Sequence, residues 1–384
     1  MNHNSKLCCF IARNPDNWQT ILTEEYGIKV KQEENYTIFN YGFACDYSNP
    51  LVQEARGIII DAESLQVVCW PFRKFGNYTE SYADSIDWNT ARVQEKVDGS
   101  IVKLWFDHRL GKWQFSTNGV IRAEKAPLES VRASNYLSLI QKAKNFADIP
   151  FQTLDRDYTY IFELVSPDNQ VVVPYDATML YHTGTRSNVT GEETDMDIGI
   201  RKPTAYPIQS LNECIEAAIK LNKFTDDGIT AEGYVVVDSH WNRIKVKSPD
   251  YIVQHHLTQM KSISKQECLQ LLLSECQDID IICQANPGLI PVFKYYDYQL
   301  ARLCSLADRL VFLSRKLYEE YSFDRGAVAR ILTRHPLGSI GLRSLDSAEP
   351  GNRQLRKMPL GRLCKLIPDY EEEDLSKLFM EEKE

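Results

Sequence analysis

The sequence lacks a long hydrophobic run. No segment reaches the roughly 18 apolar residues that a membrane-spanning helix needs, and the longest candidates, IVKLWF and YVVVD, have the length of β-strands. The N-terminus, MNHNSKLCCFIARNPDNW, has no charged region followed by an apolar stretch, which is the pattern of a secretory signal. We therefore expect a soluble, cytoplasmic protein with no membrane partner.

Clustered metal ligands are also missing. The ten cysteines form no CxxC pair and no regular framework, and the seven histidines include one adjacent pair, His255 and His256. Zinc sites need Cys and His side chains at close spacing, so the cysteines are interpreted as thiols in a reducing compartment. The histidine pair is more typical of a helix surface than of a metal site.

A net positive charge is absent as well. The 384 residues include 44 Lys+Arg and 53 Asp+Glu, which gives a formal net charge of -9. This excludes a protein that coats nucleic acid through bulk positive charge, whereas a local basic cleft stays compatible because binding responds to nearby charge. With 43% hydrophobic and 25% charged residues, the composition is that of a globular protein of two or three domains.

Short β-branched and aromatic runs dominate the first 250 residues, and Gly, Pro, Asn or Asp bounds most of them. Helical patterns interrupt them at 130–147 and 211–221. Short turns between neighbouring strands favour antiparallel pairing, so we expect an α+β fold with a largely antiparallel sheet over residues 1–250. Strands are predicted at YTIFNY, ARGIIIDAESLQVVCW, IVKLWFD, KWQFSTNG, YTYIFELV, QVVVPY, TMLYHTG, EGYVVVDS and RIKVKS.

Helical periodicity replaces strand-like alternation after Tyr251. We expect an all-helical C-terminal domain over residues 251–368 and an acidic tail at 369–384. Helices are predicted at 265–276, 298–321, 324–333 and 355–366. The aromatic cluster at 293–298 is predicted to pack between helices more readily than to contact RNA.

The negative charge sum conceals a basic patch in this helical region. Residues 252–368 contain 16 Lys+Arg and 11 Asp+Glu, whereas residues 369–384 contain two and eight. A solvated helix face and a nucleic-acid surface are equally good interpretations. The basic residues of the patch are Arg325, Arg330, Arg334, Arg343, Arg353, Arg356, Lys357, Arg362 and Lys365.

The chemical signal is an ordered set of polar residues on the predicted strands. Lys96 precedes the tight turn at Asp98 and Gly99, and so presents an amine on a loop, although DG turns are common in ordinary hairpins. Glu163 and Glu232 each lie in an apolar strand, where burial of a carboxylate costs several kcal/mol unless a partner compensates it. Singly, each of these residues is better explained as a surface charge.

Cations accompany these groups. Lys245 and Lys247 lie two positions apart, hence on one face of one strand, where like charges repel unless a polyanion lies between them. Arg56 begins another strand, and Lys74 lies in the cationic turn at 71–77. A nucleophilic lysine, cations for phosphate and two acids for ribose or metal together describe a nucleotidyl-transfer site.

This combination resembles the covalent nucleotidyltransferase superfamily of ATP-dependent ligases and mRNA capping enzymes, and within it the bacteriophage RNA ligase 1 family. The resemblance covers about residues 30–251, and both the order and the spacing of the motifs agree. Residues 116–119 depart from the family, because they lack the basic residue common there in the phage enzymes. The matching segments are 55–57, 71–77, 96–100, 116–119, 162–167, 232–235 and 245–248.

The resemblance implies that Lys96 is the nucleophile that takes AMP from ATP as a lysyl phosphoramidate. A lysine with a pKa of about 10.4 is only about 0.04% neutral at pH 7, a handicap of roughly 4.6 kcal/mol. We expect Lys245, Lys247 and a bound metal to depress this pKa. The same two lysines are expected to hold the α-phosphate in line and to stabilise its oxygens.

The remaining contacts are implied by the resemblance in the same way. Arg56 and Lys74 are expected at the outgoing phosphates, Glu163 at the ribose hydroxyl, and Glu232 at a divalent ion, usually Mg²⁺ with Mn²⁺ as an alternative. Glu163 is a second candidate metal ligand. An adenine slot is expected between the strand at 179–182 and Val235. The complete set of expected nucleotide contacts is Arg56, Lys74, Glu95, Lys96, Asp98, Gly99, Glu163, Glu232, Val235, Lys245 and Lys247.

The implied function is an ATP-dependent RNA ligase that joins 5′-phosphate and 3′-hydroxyl ends in RNA repair. A DNA ligase or capping enzyme would add an OB domain of five short strands after the last lysine motif, where this sequence is helical. The helical domain would then read single-stranded or nicked-loop RNA, with tRNA as one candidate, and we expect a monomer. Two alternatives stay open: a catalytically inactive nucleotide- and RNA-binding homologue, and a DNA ligase-like sealing enzyme.

Overall fold

A computed structural model describes residues 4–42, 45–128, 133–221, 229–259, 263–273, 278–347 and 349–369. The chain divides into two compact units. The first comprises Met1–Gly42 with Asp46–Lys261, and the second comprises Phe43–Cys45 with Ser262–Glu384. The first unit thus extends beyond residue 250, the end of the predicted catalytic domain. The predicted acidic tail lies outside the described residues, except for Asp369.

Strands and helices alternate irregularly in the first unit. Its helices are α1 Lys6–Arg13, α2 Trp18–Glu24, α3 Pro50–Glu54, α4 Tyr136–Gln141, α5 Leu211–Lys220 and α6 Pro249–Gln259. Its strands are β1 Ile28–Glu33, β2 Tyr36–Tyr41, β3 Arg56–Asp61, β4 Val67–Cys69, β5 Arg92–Glu95, β6 Ser100–Asp107, β7 Lys112–Thr117, β8 Tyr158–Val165, β9 Met179–Ser187, β10 Glu193–Thr194, β11 Ala205–Tyr206, β12 Gly233–Val237 and β13 Arg243–Lys247.

The strands form three antiparallel sheets, with orders β1-β2-β3-β4, β10-β9-β8-β6-β7 and β11-β5-β12-β13. The mixed fold with antiparallel sheets predicted from the sequence is confirmed. Apolar side chains of β6 and β8, such as Leu104 and Phe162, pack with Leu139 and Ile140 of α4 in a buried core. The sheet centred on β8 is thereby fixed on one face.

The third sheet joins β5 to strands more than 100 residues later in the first unit's sequence. β12 pairs with β5 in the register Tyr234 to Glu95, and with β13 in the register Gly233 to Lys247. Gly233 has φ +149°, and a Cβ there would lie 2.3 Å from the carbonyl oxygen of Val246. Glycine is therefore required where Glu232 leads into the strand.

The second unit is helical. Its helices are α7 Lys265–Leu273, α8 Asp278–Ala285, α9 Ile290–Glu320, α10 Arg325–Leu332, α11 Gly338–Arg343, α12 Gly351–Arg356 and α13 Leu360–Leu366. Helices α7, α10, α11 and α12 pack against the 31-residue helix α9. Among the described residues beyond Lys247 every α or β element is a helix, which agrees with the predicted helical C-terminal region and not with an OB domain.

The aromatic cluster of α9 belongs to the core of this unit. Phe293, Tyr295 and Tyr296 are 4%, 3% and 4% exposed, and they pack with Leu300 and Leu337. The prediction that this cluster packs between helices is confirmed.

Three predicted elements differ from the structure. From residue 133 onward, where the structure describes this segment, the α-helix predicted at 130–147 is limited to α4, which begins at a capping box formed by the Asn135 side chain and Ser138. The single helix predicted at 355–366 is two helices, since Pro359 has no N–H to continue α12. The run QVVVPY is not a strand: the amides of Val172 and Val173 donate to the Asp98 carboxylate instead of to a ladder.

None of the helices in the described part of the chain combines the length and the apolar character that a membrane crossing requires.

Candidate active site

A cavity of about 600 Å³ opens in the first unit, within the size range of small-molecule sites. Strands β5, β6, β8, β12 and β13 all contribute to its wall, as do the turns that follow β5 and β7. The cavity brings together seven of the eleven expected nucleotide contacts. These are Arg56, Glu95, Lys96, Gly99, Glu163, Val235 and Lys245.

Lys96 lies on the loop between β5 and β6, and its backbone amide donates to the carbonyl of Gly233. Its Nζ donates to Glu232 Oε2 at 2.6 Å, although the two residues are 136 positions apart in the sequence. The Glu232 side chain is 4% exposed and that of Lys96 is 20% exposed. The largely buried Lys96 amine at the cavity wall is thus held in place by the buried Glu232 carboxylate.

The electrostatics of Lys96 differ from the expectation. Burial lowers the pKa of the amine, but the carboxylates of Glu232 and Glu163 outweigh that effect, so the pKa is raised above its ordinary value. Lys245, Lys247 and a bound metal were expected together to lower this pKa; in the nucleotide-free protein without metal the pKa is raised instead. Burial would raise the pKa of Glu232, yet Lys96 and Lys247 hold it below its usual range. The pair is a buried lysinium carboxylate.

Glu163 points a second carboxyl into the cavity from β8. Burial raises its pKa to about 7, with Lys96 opposing and Glu232 adding to that shift. A carboxyl with this pKa is partly protonated at neutral pH, and can become an anionic ligand when a cation arrives.

Removal of the Glu163 charge should make unfolding less dependent on pH. A raised carboxyl pKa stabilises the fold at low pH, and this stability is lost as pH rises toward 7. Glu163→Gln should therefore gain on the order of 2 kcal/mol relative to wild type between pH 5 and pH 8. Urea unfolding of both proteins in EDTA at the two pH values measures this gain. An equal difference at pH 5 and pH 8 would contradict the buried carboxyl.

The two lysines of β13 have different neighbours. Lys245 lines the cavity, its Nζ lies 4.8 Å from the centroid of the Phe75 ring, and burial together with Lys74 and Arg56 pulls its pKa well below the usual value. Lys247 lies 3.5 Å from Glu232 Oε1. The two lysines predicted to share one face of the strand therefore have different positions. Lys245 lies in the cavity wall, and Lys247 lies beside Glu232.

Arg56 and Lys74 are also separated by the structure. Arg56 lines the cavity, and its Nη1 is buried without a hydrogen-bond partner among the described residues. Lys74 is not part of the cavity lining: its Nζ lies 4.0 Å and 4.9 Å from the ring centroids of Tyr47 and Tyr41, and burial lowers its pKa. Its expected phosphate contact stays a prediction.

Asp98 has its carboxylate occupied by the protein itself. Oδ2 accepts from the amides of Val172 and Val173 at 2.9 and 2.7 Å, and Oδ1 accepts from the Tyr251 hydroxyl at 2.7 Å. The residue is 4% exposed and does not line the cavity. In this structure Asp98 anchors the Lys96 loop, and its expected nucleotide contact stays a prediction.

Several cavity residues were not among the expected contacts. Arg243 pairs with Glu193 at 2.6 Å and stacks 4.1 Å from the centroid of Phe72. Its position two residues before Lys245, on the same face of β13, is the sequence signal that could have found it. Thr183 also lines the cavity and residues 179–182 do not, so the adenine slot expected between residues 179–182 and Val235 stays a prediction. Further lining residues are Phe75, Gln94, Asn118, Tyr136 and Pro203.

Glu163 and Glu232 are the two acids expected at a metal ion. Among the described residues no group of three or more His, Cys, Asp or Glu side chains is arranged to hold a metal ion, and His255 stacks on Tyr251 at 5.7 Å. The prediction for the pair is tested at His255 alone, because the side chain of His256 lies outside the described residues. Glu163 and Glu232 supply hard oxygen ligands, which fit an ion that takes its other ligands from phosphate and water.

A lysine paired with a carboxylate, flanked by cations in an antiparallel α+β unit, is the site of the covalent nucleotidyltransferase class. Residues 54–251 match the RNA ligase family of the bacteriophage T4 RNA ligase 1 type, and the chain belongs to that family.

Named relatives agree with this family. A protein named as a bifunctional polynucleotide kinase/RNA ligase in Autographa californica nuclear polyhedrosis virus is 28% identical over 298 residues, which are 72% of this chain and 41% of the viral protein. An RNA ligase of Rhodothermus phage RM378 is 24% identical over 294 residues, 60% of this chain and 66% of the phage protein. The chain thus spans less than half the length of the viral relative. Among solved structures, an archaeal ATP-dependent RNA ligase has 12% identity and a TM-score of 0.46, with 78% of this chain and 82% of the archaeal chain covered.

Proposed function

We propose that the protein is an ATP-dependent RNA ligase that joins a 5′-phosphate to a 3′-hydroxyl through a lysyl-AMP intermediate and a 5′-adenylylated RNA. One observation carries the proposal: the Lys96 amine lies at the cavity wall, 2.6 Å from the buried Glu232 carboxylate. In the first step the Lys96 nitrogen attacks the α-phosphorus, the bond to the β-phosphate oxygen breaks, and pyrophosphate leaves.

The charges around the cavity support a polyanionic ligand. Arg56, Lys245 and Arg243 line it, and mutual repulsion contributes to the lowered pKa of Lys245 and of Arg243, although burial is the larger cause. Phosphate oxygens would relieve this repulsion and accept hydrogen bonds from the same groups. The energy of binding is thus directed to the phosphates of the nucleotide.

The amine must lose its proton before it attacks. Glu232 holds the Lys96 ammonium in the nucleotide-free protein and keeps it protonated, so the proton is lost when this pairing weakens. A divalent ion, Mg²⁺ or Mn²⁺, held by Glu163 and Glu232 would supply positive charge to the reacting phosphate. Competition for Glu232 would then weaken the pairing that keeps Lys96 protonated.

The experiment is a labelling and joining assay with the purified protein. α-Labelled ATP with Mg²⁺ should leave acid-labile label on the protein, and a 5′-phosphorylated RNA strand should then take up the AMP and be joined. A 5′-phosphorylated DNA strand of the same sequence should be joined poorly. No label on the protein would overturn the ligase reading in favour of an inactive nucleotide-binding homologue, and a preference for DNA would favour the DNA ligase-like alternative.

We also propose that the helical unit binds the RNA, either single-stranded or in a nicked loop such as that of tRNA, and that the protein acts as a monomer in the cytoplasm. Six described cysteines without a disulfide support a reducing compartment: Cys69, Cys214, Cys268, Cys283, Cys304 and Cys364. Some cations of the basic patch are engaged in the structure: Arg325 pairs with Asp346, and Lys357 with Glu349. Arg330 and Arg334 are exposed on and just after α10.

Loss of these two exposed arginines should weaken RNA joining and spare protein labelling. Each cation lost from a phosphate contact removes up to about 0.7 from the salt slope of single-strand binding, so Arg330→Ala with Arg334→Ala should flatten it by about 1.4. Measurements of joining rate and RNA affinity at several salt concentrations test this. Arg325→Ala, which removes an already paired cation, is the matched control. An unchanged salt slope would place the RNA elsewhere.

A further inference from the structure

Lys103 is a buried lysine that the nucleotide chemistry described above does not use. It lies on β6, it is 0% exposed, and its Nζ donates to the carbonyl oxygens of Gly57 at 2.8 Å and Thr117 at 2.7 Å. No ion pair to Lys103 is found within the described ranges. Burial of an ammonium without a carboxylate partner costs several kcal/mol. A side chain needed only for packing would not have to carry this charge.

The two carbonyls belong to residues adjacent to the cavity wall. Gly57 follows Arg56, and Thr117 precedes Asn118, with Arg56, Thr117 and Asn118 all lining the cavity. Gly57 has φ +79°, and a Cβ at this position would lie 2.5 Å from Lys103 Nζ and 2.7 Å from the Asn118 carbonyl oxygen. The ammonium therefore clamps the start of β3 to the end of β7, with no space for a side chain between them.

The residues next to the two clamped carbonyls, Arg56 and Asn118, each have a hydrogen-bonding group without a partner among the described residues. Arg56 Nη1 and Asn118 Oδ1 are buried and have no partner in the part of the chain that the structure describes. Buried polar atoms are nearly always satisfied. The Arg56 Nη1 is a donor and suits a phosphate oxygen, whereas the Asn118 Oδ1 is an acceptor and does not. Residues 116–119 contain no basic side chain, yet Lys103 faces Ser116 directly across the β6–β7 ladder.

We propose that Lys103 is a positioning residue that fixes Arg56 at the cavity wall and supplies, from behind, the positive charge that the 116–119 turn lacks for the phosphates of the nucleotide. The proposal rests on the proposed nucleotidyl-transfer function. It predicts that Lys103 contributes to phosphate affinity and not to binding of the nucleoside. The lowered pKa of Lys103, caused by burial and by the charge of Arg56, is consistent with a cation placed for an anion.

The test compares two ligands, tripolyphosphate and adenosine, by calorimetry on the full-length protein. Lys103→Met keeps the length of the side chain and removes the charge. We expect at least a tenfold rise in the dissociation constant of tripolyphosphate and less than a twofold change for adenosine. Lys112→Met is the matched control, since Lys112 is an exposed lysine at the opposite end of β7. It should change neither constant.

The outcomes separate the alternatives. An equal loss of affinity for both ligands would overturn the proposal in favour of a merely structural lysine. No change in either affinity would overturn it as well. If Lys103→Met does not fold, Lys103→Gln with the same two ligands decides. Wild-type protein that binds tripolyphosphate through Lys103 but takes no label from ATP would refute the ligase function and leave the anion site in place.

Discussion

Lys96→Ala will abolish covalent labelling by ATP. The amine is the only described lysine nitrogen that both lines the cavity and pairs with a carboxylate, and it is the proposed atom that carries AMP. We expect the signal on a denaturing gel to fall below detection, a loss of at least 10³-fold. The fold should survive, because Lys247 remains 3.5 Å from Glu232 to compensate its charge.

Two controls separate the nucleophile from the ion pair. Lys96→Arg keeps a cation for Glu232, but a guanidinium is not deprotonated in proteins, so this variant should also take no label. Sealing of a pre-adenylylated RNA does not need the lysine nitrogen, and Lys96→Ala should retain part of that activity. Label on either variant, or label at another lysine, would remove Lys96 from its proposed role.

The second large effect is expected at Asp98 and concerns stability. Asp98→Ala leaves two buried amides and the Tyr251 hydroxyl without their acceptor. An unsatisfied buried group costs about 1–3 kcal/mol, so we expect a loss of about 4 kcal/mol in the free energy of unfolding, measured with urea. Labelling by ATP should fall as well, since the Lys96 loop loses its anchor.

Tyr251→Phe provides a graded comparison. It removes one of the three donors and should cost about 1 kcal/mol, with a correspondingly smaller effect on labelling. An Asp98→Ala variant with wild-type stability but no ATP binding would show that Asp98 contacts the nucleotide, as the resemblance implies, and would contradict its role as an anchor.

The sequence was sufficient for those features that depend on residue type and spacing. Alternation and turn residues predicted β6, β8 and β12, and the motif order predicted that Lys96, Glu163 and Lys245 would meet at one cavity. Period-two spacing placed Lys245 and Lys247 on one face. These properties are local in the chain, or are carried by the family pattern.

Long-range contacts account for what the sequence did not show. Val172 and Val173 have the composition of a strand, but their amides are taken by Asp98, more than 70 positions earlier. The sign of the Lys96 pKa shift also could not be read from a list of charges, because it depends on Glu232 lying closer to the amine than any cation. The contact of Lys74 with the Tyr41 and Tyr47 rings could not be predicted from the sequence, because these tyrosines precede it by 33 and 27 positions.

The separation of Lys96 from Glu232 by 136 positions has a consequence for synthesis. At a ribosomal rate of about 5–20 residues per second, the carboxylate emerges roughly 7 to 27 s after the amine. During that interval β5 has no β12 to pair with, and its backbone edge is open to other nascent chains. Slow translation or crowded expression should therefore lower the yield of this protein through the sheet formed by β5 and β12, before its helical unit is made.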